Sequence, residues 1–202
     1  MNDGDARHSL RLFPLHTVLY PGGRLPLRIF EPRYVGLVRD CMREGRGFGV
    51  TPIRRGGEAG APAEPWPLGT CAEIVDFDQG RDGLLHILVE GTWRFRLRTY
   101  HAAPDGLLRG EVERIEDEAA ASLPPEFDQL KTVLQKVLEL EADAGGAREQ
   151  LPIEAPMIVY RLLERLAFPL AVKLEMLESP RLADRIERCH RALLQMMQTR
   201  ER

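Results

Sequence analysis

Serine and lysine are the residue types that would support peptide hydrolysis or phosphate binding, and both are scarce in this chain of 202 residues. The three serines are Ser9, Ser122 and Ser179, and the three lysines are Lys131, Lys136 and Lys173. A phosphate-binding loop needs a lysine directly after a glycine, and no lysine here follows a glycine. Ser122 and Ser179 stand just before prolines that can begin a helix, so both are predicted as helix caps. The sequence therefore predicts neither ATP-driven chemistry nor a serine peptidase.

Histidine and cysteine, which are common zinc ligands, are widely spaced. The histidines are His8, His16, His86, His101 and His190, and the cysteines are Cys41, Cys71 and Cys189. Cys189 and His190 are adjacent, so on a helix they would point about 100° apart. His86 and His101 could meet across strands, although surface or core positions are the more common fate of a histidine. We predict no metal site and no cofactor, and we interpret the odd number of cysteines as reduced thiols of a cytoplasmic protein.

Three arginines on one predicted strand could bind phosphate groups. Arg94, Arg96 and Arg98 alternate with apolar residues, so the strand would present all three on one face. The alternative is a solvated face that is neutralised by carboxylates on neighbouring strands, and the candidates are Glu90, Glu111 and Glu113. The net charge of −3 lacks the basic excess that is typical of a nucleic-acid binder. RNA or nucleotide binding is therefore an alternative hypothesis, and we expect no nucleic-acid partner.

The stretch Leu25–Phe30 is the main candidate for binding another polypeptide. Its apolar residues Leu25, Leu27 and Ile29 lie on one side of an extended segment, and arginines and a proline occupy the other side. Nearby prolines remove backbone donors, which is typical of an edge strand, and an edge strand can pair with an extended peptide. The candidate peptide-binding residues are Arg24, Leu25, Leu27, Ile29, Phe30, Arg33, Tyr34 and Trp66.

Some of these candidates also have a purely structural interpretation. Glu31, Arg33 and Tyr34 can form the mouth of a cleft, or they can be a helix cap, an ion pair and a core aromatic ring. Trp66 lies between two prolines in a loop rich in Gly, Ala and Pro, where it can contact a ligand or pack against the strands. The sequence leaves both alternatives open.

The elements that must position these residues change in type near residue 117. Before it, the sequence predicts six or seven short strands with tight links and only one helix among them, which begins at Pro32 and ends near Gly45. This order favours a small closed or half-closed barrel. After it, prolines and glycines divide an apolar pattern of helical period into about four helices. No apolar run reaches the 18 or so residues of a membrane span. We predict an α+β protein with a strand-rich domain over residues 8–117 and a helical subdomain over residues 118–200.

Four segments resemble the substrate-binding amino-terminal domain of ATP-dependent Lon proteases, and especially the small bacterial proteins that carry this domain alone. They are PLHTVLYPGGRLPLRIFEPRY, GTCAEI, LVEGTWRFRL and the degenerate helical stretch KLEMLESPRLADRIERCHRALLQ. In LVEGTWRFRL, Gly91 and Arg94 fall on family positions. The resemblance implies a PUA-like β-barrel with one inserted helix, followed by a helical subdomain.

The resemblance also implies a function. A lone substrate-binding domain would bind unfolded or extended protein segments without catalysis, as an adaptor or a holdase, and it could cooperate with a full-length protease. Its oligomeric state is left open. The alternatives are the RNA- or nucleotide-binding module described above and a small enzyme with an unrecognised site in the cleft beside Leu25–Phe30.

Overall fold

The computed structural model describes residues 7–80 and 83–200, and the chain forms two compact units, Met1–Ile115 and Glu116–Arg202. The first unit contains the strands and one helix, and the second contains the remaining helices. The α+β class, with one helix inside the strand-rich part and a helical part after it, is confirmed.

The strand-rich unit has seven strands and one helix in its described part. In chain order they are β1 (Arg7–Leu15), β2 (Arg24–Ile29), α1 (Pro32–Glu44), β3 (Phe48–Arg55), β4 (Glu64–Pro65), β5 (Leu68–Gln79), β6 (Leu85–Ala102) and β7 (Leu108–Arg114). The two apolar runs on either side of Gly91 are a single strand, because β6 continues through this glycine.

Five of the strands pair around a ring, in the order β1, β7, β6, β5 and β3, and β3 returns to β1 through a parallel pairing. The ring encloses a small core of Leu12, Phe95, Leu97, Leu108 and Val112. Glycines make room for these side chains. A Cβ at Gly49 would lie 2.8 Å from both Leu12 and Phe95, and a Cβ at Gly69 or Gly110 would also press on core side chains. The predicted barrel is therefore this tightly filled ring, and β2 and β4 lie outside its path.

Beyond the ring, the first part of β6 belongs to a three-stranded antiparallel sheet. Residues Leu85–Glu90 pair with all of β2 on one side and with the second half of β5, Glu73–Gln79, on the other. A bulge interrupts β5 between Ile74 and Asp76. Since no further described strand pairs with β2, or with β5 beyond Ala72, this sheet has two edges.

Helix α1 covers one face of the three-stranded sheet. It has a proline in its first turn and ends at Gly45, whose φ of 61° is left-handed, as the sequence predicted. Its inward residues Tyr34, Leu37, Val38 and Cys41 share a core with residues of β2, β3 and β6. This packing decides which apolar side chains of the sheet remain exposed.

The helical unit contains a single 3₁₀ turn, Pro125–Phe127, and four described helices. They are α2 (Asp128–Asp143), α3 (Ala155–Arg165), α4 (Leu170–Glu178) and α5 (Leu182–Arg200). Arg185 of α5 is fully buried, and its Nη1 donates to Asp117 Oδ1 at 2.8 Å and to the Ser179 carbonyl at 2.9 Å. Its guanidinium also lies 5.8 Å from the centre of the Tyr160 ring. A buried, paired arginine thus fixes the start of α5.

The predictions that Ser122 and Ser179 cap helices are wrong. Ser122 forms an isolated β-bridge with Glu154, and α2 begins later, at Asp128. Helix α5 begins at Leu182, whose N–H donates to the Glu118 carboxylate at 2.7 Å. The carboxylate of Glu118, 64 residues earlier in the chain, therefore accepts the first free backbone N–H of α5, a role that was predicted for Ser179.

Candidate functional site

The structure divides the predicted peptide-binding residues by exposure. Leu27 and Ile29 of β2 are 9% and 2% exposed, and both belong to the core under α1. Tyr34 is also buried, with its ring stacked on Phe13 at 4.0 Å between centroids. Leu25 packs partly against the same core. These side chains hold the framework together, and a ligand cannot reach most of their surface.

Arg33 joins Glu31 and Tyr34 in a buried cluster. Its Nη2 lies 3.0 Å from a Glu31 oxygen, its Nη1 donates to the Gly106 carbonyl at 3.3 Å, and its guanidinium lies 4.8 Å from the centre of the Tyr34 ring. The sequence predicted that these three residues cluster. The burial of Arg33 and Tyr34 favours the ion-pair and core-aromatic interpretation over a cleft mouth. Glu31 stands at the N-cap position of α1, but its side chain makes no capping hydrogen bond.

The remaining candidates lie apart from this cluster. Arg24 is exposed and donates to Glu90 at 2.8 Å across the β2–β6 pair. Trp66 is half-buried, and the Arg54 guanidinium lies 5.7 Å from the centre of its ring. The backbone N–H of Trp66 donates to the Pro52 carbonyl. Phe30 is the most exposed aromatic residue of the set, at 58%. Of the eight candidates, Arg24 and Phe30 are thus exposed, and Leu25 and Trp66 present part of their surface to a partner.

The three arginines of β6 do not share an exposed face, which corrects the alternating pattern predicted from the sequence. Arg94 is fully buried, and so is its neighbour Phe95, because both faces of β6 are covered at this point. Arg98 is exposed and bonds to Glu113 through its Nε at 2.7 Å. Arg96 is half-buried and lies opposite Glu113 in the β6–β7 register. The arrangement favours neutralisation by β7 over phosphate binding.

A groove that the sequence did not indicate lies between the C-terminal end of α1 and the second half of β5. It has a volume of about 410 Å³, and its walls are Met42 and Gly45 on one side and Ile74, Val75 and Phe77 on the other. Met42, Val75 and Phe77 are 45%, 47% and 56% exposed, which is unusual for large apolar side chains that lie together. We name this region the β5 groove.

A second apolar surface lies at the N-terminal end of α1. Phe30, Pro32, Val35 and Gly36 line a cleft of about 560 Å³ there. Val35 and Met42 are seven positions apart on α1, so they lie on one face of the helix, about 10 Å apart along its axis. The outer face of α1 therefore joins two exposed apolar regions.

The charges beside the β5 groove are mostly negative. Glu73 and Asp76 line the groove, Asp78 lines the adjoining cavity around Phe77, and all three carboxylates are exposed. Arg46 is the one cation among the described residues that line the groove. A partner at this site would therefore meet apolar side chains flanked by carboxylates.

Comparison with known proteins matches residues 9–195 to the family model of the ATP-dependent protease La (LON) substrate-binding domain. The chain belongs to this family. The resemblance drawn from the sequence is thereby confirmed.

This LON domain is similar to a solved N-terminal domain structure and to one part of longer Lon proteases. The crystal structure of a Lon N-terminal domain protein from Xanthomonas campestris is 37% identical, covers 94% of this chain and 97% of that one, and has a TM-score of 0.73. Lon protease 2 of Syntrophobacter fumaroxidans is 31% identical over 180 residues, which are 85% of this chain and 22% of that protein. Lon protease 2 of Myxococcus xanthus is 28% identical over 157 residues, which are 75% of this chain and 19% of that protein. The chain spans about a fifth of the length of these two proteases.

The metal-ligating and nucleophilic side chains of the LON domain are spread over its described part. Among residues 7–80 and 83–200, no group of three His, Cys, Asp or Glu side chains could hold a metal ion. Burial raises the pKa of Cys71 to about 11 and that of Cys189 to about 12, so these thiols stay protonated near neutral pH. The described helices also include none that combines the length and hydropathy needed to cross a bilayer.

Proposed function

We propose that this chain binds extended, apolar segments of unfolded proteins without altering them chemically, and that it acts as an adaptor or a holdase. The observation that carries the proposal is the group of exposed apolar side chains Met42, Val75 and Phe77 around the β5 groove. Membership of the LON substrate-binding family supports it. A full-length Lon-type protease is the proposed recipient of the bound segments.

The size of the groove sets the affinity that we expect. Burial of apolar surface stabilises a complex by about 25 cal/mol per Å², so about 500 Å² of newly buried apolar area, counted on both partners, gives about 12 kcal/mol before any cost. Ordering an extended segment removes several kcal/mol of that gain, although backbone hydrogen bonds return part of it. We therefore expect dissociation constants in the micromolar range, which suit capture and release.

The described cysteines fit the proposed setting in the cytoplasm. Cys41, Cys71 and Cys189 are all free and buried, as reduced thiols in a reducing compartment would be. This part of the proposal rests on the cysteines alone.

The proposal is tested by titrating the full chain with a permanently unfolded polypeptide, such as a reduced and carboxymethylated protein, and measuring binding by calorimetry. We expect micromolar binding that the double variant Met42→Ser with Phe77→Ser weakens at least tenfold. Tyr100→Ser is the matched control, because Tyr100 is an exposed aromatic residue of β6 that does not line the groove. Absence of binding up to high micromolar concentration, or equal weakening by the control, would contradict the proposal.

A further inference from the structure

The second half of β5 offers an unpaired strand edge beside the β5 groove. Its first residues pair with β3 only through Ala72, whereas its pairing with β6 continues to Gln79. From Glu73 onward, β5 therefore has one strand neighbour among the described residues, and its other side faces the groove. Backbone N–H and C=O groups on such an edge can pair with another chain.

The register of the three-stranded sheet shows which side chains share a face. Phe77 lies opposite Ile87, and Ile87 lies opposite Leu27, so Phe77 is on the face that α1 covers. Asp76 and Asp78 alternate with Phe77, so their side chains lie toward the opposite, outer face, and Asp76 also borders the groove. The edge thus presents an apolar side and an acidic side.

The carboxylates on this edge are open to a partner. Asp76, Asp78 and Glu73 are exposed, and none makes an ion pair with a described residue. Asp76 Oδ1 accepts the Phe77 N–H at 2.9 Å, which leaves its other oxygen for a cation. Arg46 lies at the Glu73 end, since both residues also line the adjoining cavity near Trp93. Asp76 and Asp78 therefore form an exposed carboxylate pair at the other end of the edge, on the face where His86 of β6 and Arg28 of β2 also lie.

On this basis, and resting on the function proposed above, we propose that the bound segment adds as a strand to the edge Glu73–Gln79 and alternates apolar with basic residues. In an added strand, successive side chains point to opposite faces. Apolar side chains would meet Phe77, Val75 and Met42 in the groove, and the intervening lysines or arginines would meet Asp76 and Asp78. Seven residues, about 23 Å of extended chain, match the length of the edge.

The test uses seven-residue peptides and the full chain. One peptide alternates leucine with lysine, the second has the same composition with all lysines at one end, and the third alternates leucine with glutamate. We expect the alternating lysine peptide to bind at least tenfold more tightly than either of the others at low salt. Its advantage over the glutamate peptide shrinks in 0.5 M salt, because exposed charges are then screened.

Backbone methylation separates strand addition from general apolar binding. Only every second N–H of an edge-paired peptide points to its neighbour. Methylating one alternate set of peptide nitrogens should therefore abolish binding, whereas methylating the other set should change the dissociation constant less than threefold.

Charge recognition is tested with the double variant Asp76→Asn with Asp78→Asn, for which we expect about tenfold weaker binding of the alternating lysine peptide. The matched control is Glu111→Gln with Glu126→Gln, which removes two exposed carboxylates that do not belong to β5. Equal losses in both variants would overturn the charge preference.

The outcomes distinguish this inference from the proposed function. In one outcome, unfolded polypeptide binds while the peptides show no preference for alternation, and in another it binds while the two N-methylated peptides bind equally well. In either case strand addition is wrong and the proposed function stands. If neither the peptides nor unfolded polypeptide binds, the proposed function itself fails. Preference for alternating lysine together with sensitivity to one methylated set supports strand addition.

Discussion

Strands β2 and β5 border the same stretch of β6 on opposite sides, yet only β5 leaves its apolar residues exposed. Leu27 and Ile29 of β2 are buried under α1, which follows β2 directly in the chain and folds back over it. Val75 and Phe77 of β5 reach beyond the helix and remain about half exposed. An apolar run therefore marks a binding surface only where no other element covers it.

The outer surfaces of the two strands differ as well. β2 carries Pro26, which lacks a backbone donor, together with Arg24 and Arg28, and charged residues and proline discourage pairing at an edge. The described part of β5 beyond Ala72 has no proline. Of the two edges, β5 is the one suited to receive a strand.

The largest difference between the two strands is expected in stability. Ile29→Ala should lower the free energy of unfolding by about 2–5 kcal/mol, because it leaves a cavity in a well-packed core. Phe77→Ala should cost less than about 1 kcal/mol, as exposed positions usually do. Urea titration followed by tryptophan fluorescence measures this, since both tryptophans, Trp66 and Trp93, lie in the strand-rich unit. Equal losses for the two variants would show that the β5 side chain is also part of the core.

The corner that joins β2 to β6 should be the next most sensitive position. Gly91 exchanges hydrogen bonds with Gly22 and Gly23 at 2.7 and 2.9 Å, and a Cβ there would collide with the Tyr20 carbonyl oxygen. Gly91→Ala should destabilise the strand-rich unit by about 1–3 kcal/mol, a cost typical of overpacking.

Gly36 provides the control for this substitution, because a Cβ on it meets nothing within 4 Å. Gly36→Ala should be neutral or should stabilise α1 by up to about 1 kcal/mol. Thermal unfolding of both variants measures the difference, and a stable Gly91→Ala variant would mean that the corner can move away from β6.

A smaller effect is expected from the ion pair on the outer face of β2. Glu90→Gln removes the partner of Arg24, and exposed pairs of this kind contribute about 0–1 kcal/mol. Denaturation in low salt and in 0.5 M salt should show a difference that shrinks with salt. A loss above about 2 kcal/mol would indicate that the pair supports the β2–β6 register beyond its charge.

The smallest effect concerns the last residue of α1 and depends on pH. A hydrogen bond from Arg11 of β1 holds the pKa of Glu44, at the end of α1, below its ordinary value of 4.5. The folded state therefore binds this proton less tightly than the unfolded state. Its contribution to stability is complete above pH 4.5 and is lost as the pH falls through the lowered pKa.

Arg11→Gln tests this linkage. Unfolding measured between pH 3 and 7 should show a shallower loss of stability at acidic pH in the variant than in the parent. An unchanged slope would indicate that other carboxylates dominate the acid response.

Local signals predicted much of the fold. The start of α1 at Pro32 and its end at Gly45 were predictable, because a first-turn proline and a left-handed glycine act within a few residues of their own position. The Pro-Gly-Gly corner and the alternation in β2 were predictable for the same reason, and Gly22 does adopt a φ of 72°. The family was recognisable because its motifs lie within these same segments.

The candidate site was less predictable. Arg94 was expected on an outer face because alternate residues of a strand point the same way, but here both faces of β6 are covered. The apolar residues Val75 and Phe77 lie just before a hairpin loop, where polar residues are more usual. Their position was the one feature of the sequence that could have indicated an exposed apolar surface. Their exposure depends on where α1 ends, and α1 is some thirty residues away in the chain.

The sequence by itself determined the family, the α+β class, the order of the elements and the limits of α1, since these follow from residue types and their neighbours along the chain. Tertiary structure alone decided that Leu27 and Ile29 are core, that Arg94 is buried, and that Val75 and Phe77 stay exposed beside an open edge. The physical reason is that burial and backbone pairing depend on contacts between segments far apart in sequence, which no local pattern contains.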